Sequence, residues 1–101
     1  MAGDPIFHIT SRAEWEAAVP TGEYRPAAFA REGFIHCSYR QQVEATLRRH
    51  FSGRSGLVLL EIDRARLQSP IVDENLSGGA ERFPHIYGPL PVSAVVGASD
   101  V

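Results

Sequence analysis

Apolar and polar residues alternate near the start of the chain, and this pattern predicts a short strand followed by a helix. The strand is IFHIT, residues 6–10, with His8 at its centre between apolar neighbours. The next residues, SRAE, have the spacing of a capping box, in which Ser11 and Glu14 exchange hydrogen bonds at a helix start. We expect this helix to be short and to end before Pro20.

The later apolar runs predict one longer helix and four further strands. GLVLLEID is the most apolar of the strands, which favours a central place in a sheet. In chain order the elements are strand FIHCS (34–38), helix SYRQQVEATLRRHF (38–51), and strands GLVLLEID (56–63), PIVDEN (70–75) and VSAVVGAS (92–99).

The longer helix is expected to bury one apolar stripe. Val43 and Leu47 lie on that stripe, and Thr46 lies at its margin. Ser38 and Gln41 fit the spacing of a second capping box at its start.

Residues 76–91, LSGGAERFPHIYGPLP, predict a long irregular loop. Glycine and proline interrupt every regular pattern there. Phe83, Ile86 and Tyr87 make the segment too apolar for a disordered tether. We therefore expect an ordered loop that packs over a functional site.

Two early helices followed mostly by strands with short connections indicate an α+β fold with small mixed or antiparallel sheets. The chain of 101 residues is expected to form a single domain, residues 1–101, in which residues 1–5 are a loose tail.

The composition of the chain limits the partners and the cellular compartment that we expect. The formal net charge of −2 favours neither nucleic acid nor an acidic membrane, so neither partner is expected. One cysteine excludes an intramolecular disulfide and fits a reducing compartment. The first ten residues lack the pattern of a secretory signal, and no apolar run is long enough to span a membrane. These features predict a cytoplasmic protein.

The residues around the cysteine carry the first candidate chemistry. On a strand, His36 and Cys37 point to opposite faces, so they cannot form a catalytic pair. Cys37 is therefore expected to be a buried, unreactive apolar residue. His36 shares its face with Ser38, which serves either as a helix cap or as a ligand contact.

Two of the predicted strands, IFHIT and FIHCS, each contain a histidine. His8 and His36 face one cleft if their strands are neighbours, and His85 is a third candidate for that cleft. The alternative is that these are core histidines with internal hydrogen-bond partners. No local zinc-ligand spacing or glycine-rich phosphate loop is present, so no metal is expected. Glu74 and Glu81, the latter beside Arg82, are the carboxylates nearest to the candidate site.

Four segments together resemble the small bacterial family called domain of unknown function 952: IFHITSRAEWEAA, GEYRPAAFAREGFIHCS, LVLLEID and ERFPHIYGPLPVSAVV. The resemblance runs from Ile6 to about Val96, and its most specific motifs are GFIHCS and RFPHIYGPL. It implies a fold related to the ADP-ribosyltransferases, which bind NAD in a cleft between two small sheets. Those enzymes carry a histidine or arginine on the first core strand, a polar residue on the second and a late glutamate.

The resemblance also implies roles for individual residues. His8 matches the first position, as a contact to a ribose of NAD, and His36 or Ser38 matches the second. Glu81 and Glu74 are alternatives for the third position, which His85 occupies instead if neither carboxylate is in place.

Three hypotheses follow. The first is an ADP-ribosyltransferase-like enzyme whose catalytic residues are His36 with Glu81 or Glu74. Its ligand, NAD or another small-molecule nucleotide, would meet a second group of residues: His8, Ser38, Arg82, His85 and Tyr87, with the Tyr87 ring stacked on a ligand ring. The second is a non-catalytic nucleotide or metabolite binder with the same cleft. The third is a protein-interaction module whose histidines are structural.

Overall fold

The computed structural model describes residues 3–76 and 79–101, which form three small antiparallel sheets with helices beside them. This confirms the α+β class. The predicted loose tail lies partly outside the described residues, and Gly3–Pro5 have no helix or strand. The α-helices are α1 (Arg12–Ala18), α2 (Phe29–Glu32) and α3 (Val43–His50), so the prediction of two helices missed the single turn α2.

The strands are short and alternate with four 3-10 turns. The turns are Val19–Thr21, Arg40–Gln42, Arg64–Arg66 and Val92–Ala94. The strands are β1 (Ile6–Ser11), β2 (Glu23–Tyr24), β3 (Ile35–His36), β4 (Leu57–Ile62), β5 (Ile71–Glu74), β6 (Phe83–Ile86), β7 (Leu90–Pro91) and β8 (Val95–Asp100).

The first sheet has the order β1-β4-β8 and carries much of the core. Strand β4 is central, as its apolar sequence predicts, and Leu60 and Ile62 are fully buried. Helix α1 follows β1 through the predicted cap: Ser11 Oγ accepts from the Glu14 N–H at 3.1 Å. The hydroxyl of Ser11 donates to the Glu14 carboxylate at 3.4 Å, which takes the place of the expected return bond to the backbone.

The third sheet, in the order β3-β6-β5, corrects the prediction of an irregular loop at 76–91. The segment FPHI is the central strand of this sheet, and Leu90–Pro91 pairs with β2 in the two-stranded sheet. Residues 77–78 of the expected loop lie outside the described residues. Pro84 makes this strand hard to recognise from the sequence, because proline is rare inside sheets. Its carbonyl accepts from the Cys37 N–H at 2.9 Å, but it has no N–H to return, and β3 ends one residue earlier.

Helix α3 buries one polar side chain, that of Thr46, instead of the predicted apolar stripe. Thr46 is 5 % exposed, whereas Val43 and Leu47 are only partly buried. The hydroxyls of Thr46 and Ser38 form a hydrogen bond at 3.1 Å. The predicted capping box of Ser38 is wrong by one residue, because the bond to the side chain runs from the Tyr39 N–H to Gln42 Oε1 at 2.9 Å.

An isolated β-bridge joins the first and third sheets. Phe7 and Ser38 exchange two backbone hydrogen bonds, at 2.8 and 2.7 Å, across the edge of β1. The bridge brings β1 beside β3 and sets the relation of His8 to His36. Within the described residues, no helix has the length and apolar character that crossing a membrane requires.

Candidate functional site

A cavity of about 440 Å³ opens beside the third sheet and α3; we call it the His36 cavity. This volume lies within the range of small-molecule sites. Its apolar walls are Phe34, Phe51, Leu76 and Phe83. Its polar lining comes from Glu32, His36, Thr46, Arg49, His50, Glu74 and His85.

Three polar side chains of this lining form a continuous chain of hydrogen bonds. Glu74 Oε1 lies 2.9 Å from His85 Nδ1, and His85 Nε2 lies 3.1 Å from His36 Nδ1. Adjacent strands position these residues, since His36 pairs with His85 across β3 and β6, and Glu74 ends β5. The ring of Phe34 stacks on His85 with centroids 4.2 Å apart and fixes the plane of that imidazole.

Glu74 is held as a carboxylate by two donors. The Tyr87 hydroxyl donates to Oε1, and the His85 imidazole bonds to the same oxygen. The bond from Tyr87, followed by that from His85, lowers the pKa of Glu74, and the same bond to Glu74 raises the pKa of Tyr87. The carboxylate is therefore committed to accepting hydrogen bonds.

His36 has one ring nitrogen in this chain of bonds and one outside it. Nε2 is buried and has no hydrogen-bond partner among the described residues. Burial, then the neighbouring His85, His8 and His50, lowers the pKa of His36 to about 4. Above that pH its imidazole is neutral, and a buried ring nitrogen without a partner lies in the wall of the cavity.

Basic groups from the last turn of α3 also line the cavity. Arg49 is exposed and forms no ion pair or hydrogen bond within the described part of the chain. Its neighbour Arg48 is paired with Glu44 at 3.0 Å and does not line the cavity. Because Arg49 has no such partner, its guanidinium is available to bind an anion.

His8 does not line the His36 cavity, which corrects the expectation that three histidines surround one concavity. Its Nδ1 lies 2.7 Å from the His36 carbonyl oxygen and its Nε2 lies 2.9 Å from the Tyr24 hydroxyl. Since the carbonyl can only accept, Nδ1 carries the proton and Nε2 accepts from Tyr24. Burial lowers the pKa of His8, so a neutral, fully bonded imidazole lies in the core.

Several other predicted site residues also lie outside the cavity lining. Ser38 is buried on Thr46, and Tyr87 is 38 % exposed with its hydroxyl on Glu74. Glu81 and Arg82 are exposed; the Gln42 amide donates to the Glu81 carboxylate at 3.4 Å and to the Arg82 carbonyl at 2.9 Å. Of the two candidate carboxylates, Glu74 is the one that lines the cavity.

Cys37 is buried as predicted, with 1 % of its surface exposed. Burial raises the pKa of its thiol, which keeps the sulfur protonated. No group of three or more histidine, cysteine or acidic side chains suited to a metal ion occurs within residues 3–76 and 79–101.

Sequence reasoning missed eight lining residues: Glu32, Phe34, Thr46, Arg49, His50, Phe51, Leu76 and Phe83. Phe34 could have been found from the sequence, since it lies two residues before His36 and shares its face of the predicted strand. Arg49 and His50 lie on the exposed side of α3, and only the tertiary position of that helix reveals their role.

The chain is similar to one protein family and to the solved structures of one bacterial protein. The family described as Protein of unknown function (DUF952) matches residues 9–98. The crystal structure of protein CC0527 from Caulobacter crescentus is similar, with 40% sequence identity, a TM-score of 0.84, and coverage of 95% of this chain and 84% of that chain. The solution NMR structure of CC0527 has 39% identity and a TM-score of 0.83, and covers 100% and 85%. The curated proteins contain no match.

Proposed function

The chain belongs to the DUF952 family, and from this premise we propose that its His36 cavity binds a small nucleotide of the NAD or ADP-ribose class. Such a ligand combines an aromatic base, ribose hydroxyls and phosphates. Each of these chemical groups has a matching type of side chain in the cavity.

The observation that carries the proposal is the unpartnered Nε2 of His36. A buried polar atom without a partner costs about 1–3 kcal/mol, which a ligand hydroxyl would recover. Arg49, His50 and Leu76 are exposed lining residues that can move to admit the ligand.

Two further features support a nucleotide over an uncharged apolar ligand. The phenyl rings of Phe34, Phe51 and Phe83 suit a planar base, because aromatic faces stack on bases without sequence preference. The unpaired guanidinium of Arg49 suits a phosphate, which it can hold through two parallel hydrogen bonds.

ADP-ribosyl transfer is the second candidate function, and Glu74 is the observation that favours it. Cleavage of the glycosidic bond of NAD develops positive charge on the ribose, as glycoside hydrolysis does. An ionised carboxylate in the cavity wall would stabilise that charge. Binding alone requires only the cavity, whereas transfer requires this carboxylate as well.

Calorimetric titration of the protein with NAD, ADP-ribose and adenosine tests the proposal. We expect Arg49→Gln to weaken NAD and ADP-ribose binding about tenfold, because one charged hydrogen-bonding group to phosphate is lost. Adenosine, which has no phosphate, should bind both proteins equally. Release of nicotinamide during incubation with NAD would distinguish transfer or hydrolysis from binding.

Arg48→Gln is the matched control, since Arg48 is the adjacent arginine but lies outside the cavity lining. It should leave all three affinities within about twofold of the wild-type values. Absence of binding of all three ligands to the wild-type protein would refute the nucleotide proposal.

A further inference from the structure

The hydrogen bonds between Glu74, His85 and His36 fix the positions of the ring protons when each imidazole carries one proton. A carboxylate only accepts, so the proton of neutral His85 lies on Nδ1, facing Glu74. His85 Nε2 is then an acceptor, and the His36 Nδ1 at 3.1 Å must donate to it. The remaining nitrogen of His36, Nε2, is left with a lone pair.

We propose that Glu74 and His85 are positioning residues that hold His36 in its Nδ1–H tautomer, and that His36 Nε2 is the hydrogen-bond acceptor of the cavity for a hydroxyl group of the ligand. The identity of the ligand rests on the proposed function. The tautomer rests only on the hydrogen bonds within the protein.

The hydrogen bonds of this arrangement all run in one direction when a ligand hydroxyl is bound. The hydroxyl donates to His36 Nε2, His36 Nδ1–H donates to His85 Nε2, and His85 Nδ1–H donates to Glu74. No proton leaves its own nitrogen or oxygen, so Glu74 stays a carboxylate and no cation forms on the buried His36 ring.

The other charged and titratable groups around His36 are compatible with this direction. His8 bonds the His36 backbone carbonyl and leaves the ring free. His50 lies close enough to His36 to disfavour a cation there, as do His8 and His85. Arg49 and Glu32 line the same cavity but form no hydrogen bond to the ring in the described structure.

Nitrogen NMR of the ¹⁵N-labelled protein at about pH 8, above the usual range of histidine titration, tests the proposal directly. An unconstrained neutral imidazole favours the Nε2–H form, so the Nδ1–H form at His36 is a specific signature. We expect it in the wild-type protein and in Tyr87→Phe, which keeps the bond between Glu74 and His85. Glu74→Leu and His85→Phe should each shift His36 to the Nε2–H form.

His8 is an internal reporter in these spectra, because its Nδ1–H form depends on the His36 carbonyl and Tyr24 alone. An unchanged His8 signal shows that a variant is folded. If Glu74→Leu does not fold, His85→Phe provides the test of the positioning role. The positioning role would be overturned if wild-type His36 were in the Nε2–H form. It would also be overturned if the tautomer of His36 did not change in a folded variant.

Saturating ADP-ribose provides the test of the acceptor role. A hydrogen bond from a ribose hydroxyl should move the His36 Nε2 resonance towards the protonated range. Calorimetric binding without this movement overturns the acceptor role. Failure of ADP-ribose to bind refutes the nucleotide proposal instead and leaves the measured tautomer as a separate result.

Discussion

At the scale of single residues, hydrogen-bond partners separate the chemistry of three buried or partly buried histidines. His8 has partners at both nitrogens, so it is part of the core. His85 has partners at both nitrogens too, but one of them is a carboxylate that orients it. His36 has a partner at one nitrogen only, and this difference makes it the histidine that binds the ligand in our proposal.

Gly88 illustrates a steric constraint at the same scale. A Cβ at this position would lie 2.0 Å from Ser69 Oγ and 2.7 Å from Ser69 Cβ. Gly88→Ala should therefore lower the free energy of unfolding by about 1–3 kcal/mol, as overpacking does. Urea unfolding would measure this loss.

Ser69→Gly removes both clashing atoms and provides the matching double-mutant cycle. The double variant should recover at least half of the loss, measured relative to Ser69→Gly alone. Additive effects of the two substitutions would show that Ser69 is not the obstacle.

At the scale of elements, local signals predicted β1, the start of α1 and β4, and each was confirmed. The alternation around His8 and the spacing of Ser11 and Glu14 act within a few residues, so sequence alone contains them. Strand β6 was missed because Pro84 and the flanking glycines resemble a loop, whereas its identity comes from partners on both sides. The buried face of α3 was missed because Thr46 is polar and is satisfied by the distant Ser38.

Gln42 connects the start of α3 to the start of β6 and is 6 % exposed. Its side chain accepts from the Tyr39 N–H and donates to the Arg82 carbonyl. Gln42→Leu keeps the approximate volume but leaves both backbone groups unpaired, so we expect the free energy of unfolding to fall by about 2–4 kcal/mol.

The adjacent residue offers a matched control for this prediction. Gln41 is exposed, and Gln41→Leu should change the free energy of unfolding by no more than about 0.5 kcal/mol. Equal effects of the two substitutions, measured by urea unfolding, would contradict the proposed connecting role of Gln42.

At the scale of the whole molecule, the candidate site depends on pairings between distant segments. His36, Glu74 and His85 meet because β3, β6 and β5 form one sheet. Sequence analysis proposed all three as site residues, and it identified the family, which the match to residues 9–98 confirms. It could not identify their mutual bonds or exclude His8 from the cavity, because those depend on strand register. The relation to ADP-ribosyltransferases and the binding of NAD stay predictions.

The pH dependence of stability follows from the two histidines that folding keeps neutral. The pKa of His36 falls from 6.5 to about 4, and burial also lowers the pKa of His8. Between these pH values the unfolded chain binds more protons than the folded protein, so stability falls as the pH is lowered through this window. Above about pH 6.5 both rings are neutral in both states, and their contribution is fully present.

For His36 alone, the loss across the window should approach roughly 3 kcal/mol. Urea unfolding of the wild-type protein and of His36→Phe at about pH 8, 6 and 4 measures it. The variant should show a smaller loss between the first and last of these conditions, because one group that protonates on unfolding is gone. Gln41→Leu is the control, since Gln41 is exposed, has no titratable group and should leave the wild-type dependence intact. A pH dependence that is identical in the wild-type protein and His36→Phe would mean that His36 titrates alike in both states, and its ring would then be solvated in the cavity instead of held neutral by burial.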